Sequence, residues 1–144
     1  MAAPDQYGSY LSGGWRWGKS DYTGNGLLIR GRGITRTLAE ITDGTASTVL
    51  VGEKALHPDL YVSGSWFYDQ PFFLGNSSGI ICKGTNVFRD TRTTVFIGNW
   101  GAAHSSGAQF VFADGSTRLI RYGTSPDVIQ ALLTPAGGDV AELP

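Results

Sequence analysis

The sequence predicts an α+β domain, predominantly antiparallel β with short strands and tight turns, carrying one clear C-terminal helix. Three observations predict it. Glycine occurs 21 times in 144 residues, while charged residues make up 16% and aromatics 12%. Without a collagen period, glycine at that frequency marks many tight turns, and the aromatics with Val, Ile and Thr supply strand packing. Residues 99–122, NWGAAHSSGAQFVFADGSTRLIRY, hold two short runs, 108–113 and 117–122, on either side of the turn dipeptide Asp114-Gly115. That is the local signature of a hairpin. Residues 125–133 read as the helix: Ser125 is the N-cap, Pro126 takes the first helical position and Asp127 lies in the first turn. Val128, Ile129, Leu132 and Leu133 form its apolar stripe, and Pro135 with Gly137-Gly138 ends it.

A chain of this length buries about two-thirds of the surface its unfolded form exposes and is short for two domains. Residues 15–144 are therefore read as a single β-rich domain, and 1–14, which lack periodicity, as a partly mobile lead-in. Eleven Lys and Arg against twelve Asp and Glu leave a net charge of −1, with the charges scattered singly. Phosphate binding needs a concentrated basic surface, so nucleic acid is excluded as a partner. Arg30, Arg32 and Arg36 are the nearest approach to a basic patch and read as a solvated loop rather than an anion site. The single cysteine, Cys82, excludes an internal disulfide and a thiolate cluster, and its flanks suggest the end of a buried strand.

Taken in order, Trp15-Arg16-Trp17 alternates as a half-exposed strand does, with both indoles on one face. The segment 21–26, DYTGNG, could gather oxygen ligands around a hard cation, with Asp21 and Asn25 as its ligands and calcium as the candidate ion. The full calcium-loop pattern is absent, and an Asx-turn leading into a strand over 27–30 accounts for the same residues without metal. Residues 37–41 suit one helical turn, stopped by Asp43-Gly44. Residues 47–53 then read as a strand with Val49 and Val51 on one face, Leu50 on the other, and both faces partly buried. Glu53 closes that strand. A carboxylate there finds an arginine or backbone donors, because an unpaired buried charge is expensive. It could also act as a general acid or base.

Residues 61–73 concentrate six aromatics, which cannot all point inward from one strand. Trp66 and Tyr68 beside Asp69 and Gln70 form the candidate ligand surface, since rings can stack on sugar faces while polar groups take hydroxyls. A short strand over 80–82 and another over 93–97 lead into the hairpin. For the hairpin, a three-residue loop over Asp114, Gly115 and Ser116 would pair Phe110 with Ile120 and Val111 with Leu119. It is preferred to a two-residue turn, which would set Phe112 against Thr117.

His104, nine intervening residues, and Asp114-Gly115 spell an H-x9-DG pattern. With 21–26, with Ile41-Thr42-Asp43-Gly44-Thr45 running on to Glu53, and with the tail SPDVIQALLTPAGGDV, the pattern resembles a bacterial prepilin-type family that carries an H-x9-DG domain of unknown function. The similarity covers about half the chain, at its two ends. It implies a secreted or envelope-anchored, pseudopilin-like domain whose relatives begin with a hydrophobic helix. No apolar run near Met1 approaches the roughly 20 residues a membrane span needs, so no span is expected in this chain. The chain is read as the soluble part of a longer product in preference to a variant that has dispensed with the anchor.

If 108–113 is one extended strand, it separates Asp114 from His104 by roughly 20 Å, far beyond hydrogen-bond reach. The two are expected to do separate jobs, Asp114 capping the turn and His104 fixing the loop before the strand. Their partners Gly115, Asp43, Gly44 and Glu53 complete the structural signature. His104 could instead meet Glu53 or Asp21 from another strand, which would reopen an active or metal site. His57, before Pro58, gives little support to a two-histidine centre. Two functions follow. The first is a non-enzymatic extracellular or cell-envelope domain that packs against protein subunits of a surface or filament assembly, or holds polysaccharide, with no cofactor needed. The second is a carbohydrate-active enzyme using Glu53 and His104.

Overall fold

The structure is a computed structural model in which residues 20–29, 36–59, 80–93, 98–139, 141 and 143 are described. The lead-in, the Trp15-Arg16-Trp17 strand, the aromatic surface with Trp66, Tyr68, Asp69 and Gln70, and most of the strand expected over 93–97 lie outside them. Seven strands are described: β1 (Tyr22–Asn25), β2 (Val49–Glu53), β3 (Ile81–Cys82), β4 (Val87–Arg89), β5 (Trp100–Ala102), β6 (Gly107–Phe112) and β7 (Thr117–Arg121). A 3-10 turn spans Leu38–Glu40, and the helix α1 spans Pro126–Leu133. Five strands form one sheet in the order β3-β1-β2-β6-β7, antiparallel except for the β1–β3 pair, and β4 pairs with β5 in parallel. The α+β architecture and its C-terminal helix are as the sequence predicts.

Alternation sets the faces of the sheet. Ala108, Phe110 and Phe112 point inward from β6, where they meet Ile120 of β7 and Val49 of β2, all buried. Helix α1 lays Ile129, Leu132 and Leu133 into the same core. Its N-terminus is capped as expected, with Ser125 Oγ accepting Asp127 N–H at 3.2 Å. Trp100 of β5 is fully buried and tilts against Phe110 with ring centroids 5.3 Å apart, while its indole N–H donates to Gly84 O. Gly52 lies beneath these two rings; a methyl group there would overlap Phe110. Cys82 is buried at the end of β3, as expected, and burial pushes its thiol pKa up to about 12.

Three expectations are corrected. The hairpin loop is Ala113, Asp114 and Gly115, one residue earlier than preferred, so Ala108 pairs with Ile120, Gln109 with Leu119, Phe110 with Arg118 and Val111 with Thr117. Gly115 decides this: at φ +86° it takes the left-handed position of a type I turn with a bulge, its N–H donating to Phe112 O and Phe112 N–H to Ser116 O. The mismatch that like-with-like pairing avoids is resolved differently, since the Arg118 guanidinium lies 4.4 Å from the centroid of the Phe112 ring.

Val49 and Val51 lie on opposite faces of β2, because a bulge between them shifts the register from Val49–Phe112 to Val51–Val111 and Gly52–Phe110. Finally, the strand near residue 25 precedes the turn. Leu27 N–H donates to Asn25 Oδ1 in the expected Asx-turn, but Leu28 and Ile29 then curl back to Asn25 O instead of extending.

Candidate functional site

Glu53 and His104 gather at one end of β6, and Asp114, Gly115, Asp43 and Gly44 at the other. At its start, β2 and β6 separate after the Gly52–Phe110 pair, and the Glu53 carboxylate fills the gap. Its Oε2 accepts Gln109 N–H at 2.7 Å and its Oε1 lies 3.0 Å from His104 Nε2. A carboxylate accepts this hydrogen bond from the imidazole tautomer that carries its proton on Nε2. Glu53 thus finds a backbone donor and an imidazole rather than an arginine. Its side chain keeps 16% of its exposure against 56% for His104, so the acid is tucked under the loop and the ring lies over it.

Tyr122, just past β7, completes this end. Its single hydroxyl proton is shared between Ala102 O at 2.9 Å and His104 O at 3.0 Å, pinning the main chain on either side of Ala103. Burial first, and then the charges of Asp90 and Glu53 against the opposing Arg89, raises the Tyr122 pKa, which keeps the hydroxyl a donor. No sequence signal marked Tyr122 beyond its aromatic character at a strand end, and none could name carbonyls 18 and 20 residues away.

At the other end of β6, Asp114 Oδ1 accepts Ser116 N–H at 2.8 Å, the turn-capping role expected of it. The Ser116 side chain and N–H, followed by Arg118, hold the Asp114 carboxyl below the usual aspartate range. Asp114 N–H reaches Thr45 O and Ala113 N–H reaches Thr48 O, which docks the turn on the loop after Asp43-Gly44. Gly44 has φ +98°, as a glycine closing that loop requires. Asp43 then clasps the tail beyond α1: Oδ2 accepts Gly137 N–H at 2.7 Å and Oδ1 accepts Gly138 N–H at 3.0 Å. Three stretches of the sequence pattern therefore converge here, through Asp43-Gly44, Asp114-Gly115 and Gly137-Gly138.

His104 and Asp114 do not meet. Asp21 and Asn25 do not share a site either, being about 13 Å apart along an extended chain. Asn25 is fully buried, with Oδ1 taken by Leu27 N–H and Nδ2 donating to Val49 O and Leu133 O, so its amide joins β1, β2 and the end of α1. His57 has one ring nitrogen near Arg92 O and the other accepting Asp59 N–H, leaving neither for a shared ion with His104. Among the described residues, no group of three or more His, Cys, Asp or Glu could hold a metal, and no helix is long and apolar enough to cross a membrane.

Chemically, Glu53 and His104 form the base-and-orienter half of an acid-base site. Among the described residues no nucleophile is hydrogen-bonded to the ring. The other carboxylate oxygen holds the sheet, and a cleft lined by described residues lies at the Ala113 end of β6, away from this pair. Compared with known families, residues 2–127 match the model of one described as a protein of unknown function, DUF1559. No curated protein and no solved structure matches the chain.

Proposed function

Since the chain belongs to the DUF1559 family, whose description carries no activity, we propose that it is a non-catalytic extracellular domain of pseudopilin-like type that takes part in a surface or filament assembly. The observation that carries this reading is the double engagement of Glu53: both oxygens tie the 103–106 loop and β6 to β2. A general acid must exchange its proton with a substrate. A carboxylate holding a main-chain N–H and a histidine that spans 51 residues instead acts as a clasp. The H-x9-DG pattern is then architectural, its histidine and its aspartate each fastening one end of the same strand to a distant or neighbouring segment. Partners in this reading are protein subunits of the assembly, with polysaccharide held by the aromatic surface around Trp66 and Tyr68.

The test is made on the full-length gene product in its own cell. The expected result is tag accessibility to protease on intact cells and recovery in the sheared surface fraction, both insensitive to Glu53→Gln. A protein that stays inside the cell would overturn the reading. So would hydrolysis of any member of a glycan panel that Glu53→Gln abolishes while the melting temperature is unchanged. Migration in polysaccharide gels, compared with a Trp66→Ala/Tyr68→Ala variant, reports the binding role separately.

A further inference from the structure

We propose that the cleft between the 3-10 turn and the Ala113 end of β6 is a binding site for a short aliphatic carboxylate. The cleft has a volume of about 240 Å³. Leu28, Ile41, Leu50 and Ala113 form its wall, from the turn after β1, the loop after the 3-10 turn, β2 and the hairpin loop. Leu38 forms its lip and is 67% exposed, an apolar side chain held in water at the rim of an apolar hollow.

The second observation is Arg36, which lines the same cleft and is half-buried. Among the described residues its guanidinium closes no ion pair and no hydrogen bond. The nearest acid in sequence, Glu40, turns instead to Thr37 N–H, where Oε2 accepts at 2.7 Å to cap the 3-10 turn. A planar cation with five donors and no acceptor, set against aliphatic carbon, is matched by a carboxylate, which it grips in bidentate fashion.

The wall fixes the rest of the ligand. Among the described residues it carries no aromatic ring for a sugar face and no second cation for a phosphate chain, so the body that fits is aliphatic. The volume lies below the roughly 300 Å³ at which pockets for drug-sized molecules begin, so the chain is short. Arg36, which the sequence groups with Arg30 and Arg32 as a solvated loop, is here the one charged group among the described residues that line the cleft, with Thr37 beside it.

Octanoate is the probe, with 1-octanol as its uncharged counterpart, titrated into the intact chain labelled for NMR. The expected result is saturable shifts confined to Leu28, Leu38, Ile41, Leu50 and Ala113, and at least tenfold weaker binding of octanol. Arg36→Gln is expected to bring octanoate down to the octanol level with an unchanged melting temperature, because among the described residues Arg36 holds no other group. Should Arg36→Gln not fold, Arg36→Lys keeps the charge without the fork and should narrow the octanoate-to-octanol ratio. Equal binding of the two probes overturns the proposal. So do shifts that spread over the surface without saturating, or Arg36 variants that bind octanoate as the parent does.

Discussion

The His104 end of β6 and the Asp114 end are fastened by different means. The Asp114 side chain works within its own turn: its carboxylate holds Ser116 N–H, and the φ +86° of Gly115 closes the loop from Phe112 to Ser116. From the turn itself only main-chain groups reach outward, to Thr45 and Thr48, and it is the neighbouring Asp43 carboxylate that holds the tail through Gly137 and Gly138 N–H. At the His104 end the side chains span the fold, from Glu53 to His104 and from Tyr122 back to Ala102 and His104. A turn of the first kind forms wherever its few residues are present. A clasp of the second kind exists only when β2, β6 and β7 are already in register, so its state reports on the whole sheet.

Gly52 and Gly115 put that contrast to its strongest test, since each is required for a different reason. Gly52 lets Phe110 and Trp100 press on β2 beside Glu53. Gly52→Ala should cost about 1–3 kcal/mol, as overpacked cores do. It should move the denaturation midpoint without changing the slope and shift the His104 resonances as β2 moves. Stability within about 0.5 kcal/mol of the parent, the range of ordinary surface changes, would mean that close packing does not position the clasp.

Glu53→Ala comes next, at about 0.5–1.5 kcal/mol, the net worth of one hydrogen bond, because the exposed Gln109 N–H exchanges its carboxylate acceptor for water. His104→Ala should cost less than about 1 kcal/mol, the ring being more than half exposed. A double-mutant cycle should show the two coupled by about 0.5 kcal/mol or more; strict additivity would remove the clasp. Gly115→Ala, at the local end, should cost about 1 kcal/mol through strain at positive φ alone. Gly115→Asn should recover part of it, and neither should disturb His104. A shift of His104 in these variants would show that the two ends are not independent.

The same division explains what could be read from the sequence. The helix was legible to its cap because Ser125, Pro126 and the Ile129, Leu132, Leu133 stripe act within one element. The Asx-turn at Asn25 and the glycine stops at Gly44 and Gly115 were legible for the same reason. The hairpin register was not, because its preference weighed cross-strand likeness and overlooked where a glycine must take the left-handed position. Arg118, placed opposite Phe110, finds its partner in the Phe112 ring instead. The bulge that turns Val49 and Val51 to opposite faces leaves no mark in the residues themselves. Glu53 was legible as a buried-end carboxylate seeking a donor, and His104 among the groups it could meet. Tyr122 and the buried amide of Asn25 were not, since their carbonyl partners are brought to them only by the assembled sheet.

The smallest expected effect separates the two ends by pH. The Asp114 carboxyl is held below its ordinary value of 3.8, so its contribution is present above that value and lost as pH falls through the lower one of the folded state. The Tyr122 hydroxyl is raised above 10.0, so its contribution is present below that value and lost as pH rises through the higher one of the folded state. Melting temperatures measured from acid to alkaline pH should therefore show Asp114→Asn converging on the parent only at the acid limit. Tyr122→Phe should converge only at the alkaline limit, once the parent's phenol ionises and loses the one proton it shares between the two carbonyls. If the Asp114→Asn difference instead fades on the alkaline side, or both variants track the parent at a constant offset, then these two side chains do not titrate as the ends of β6 require.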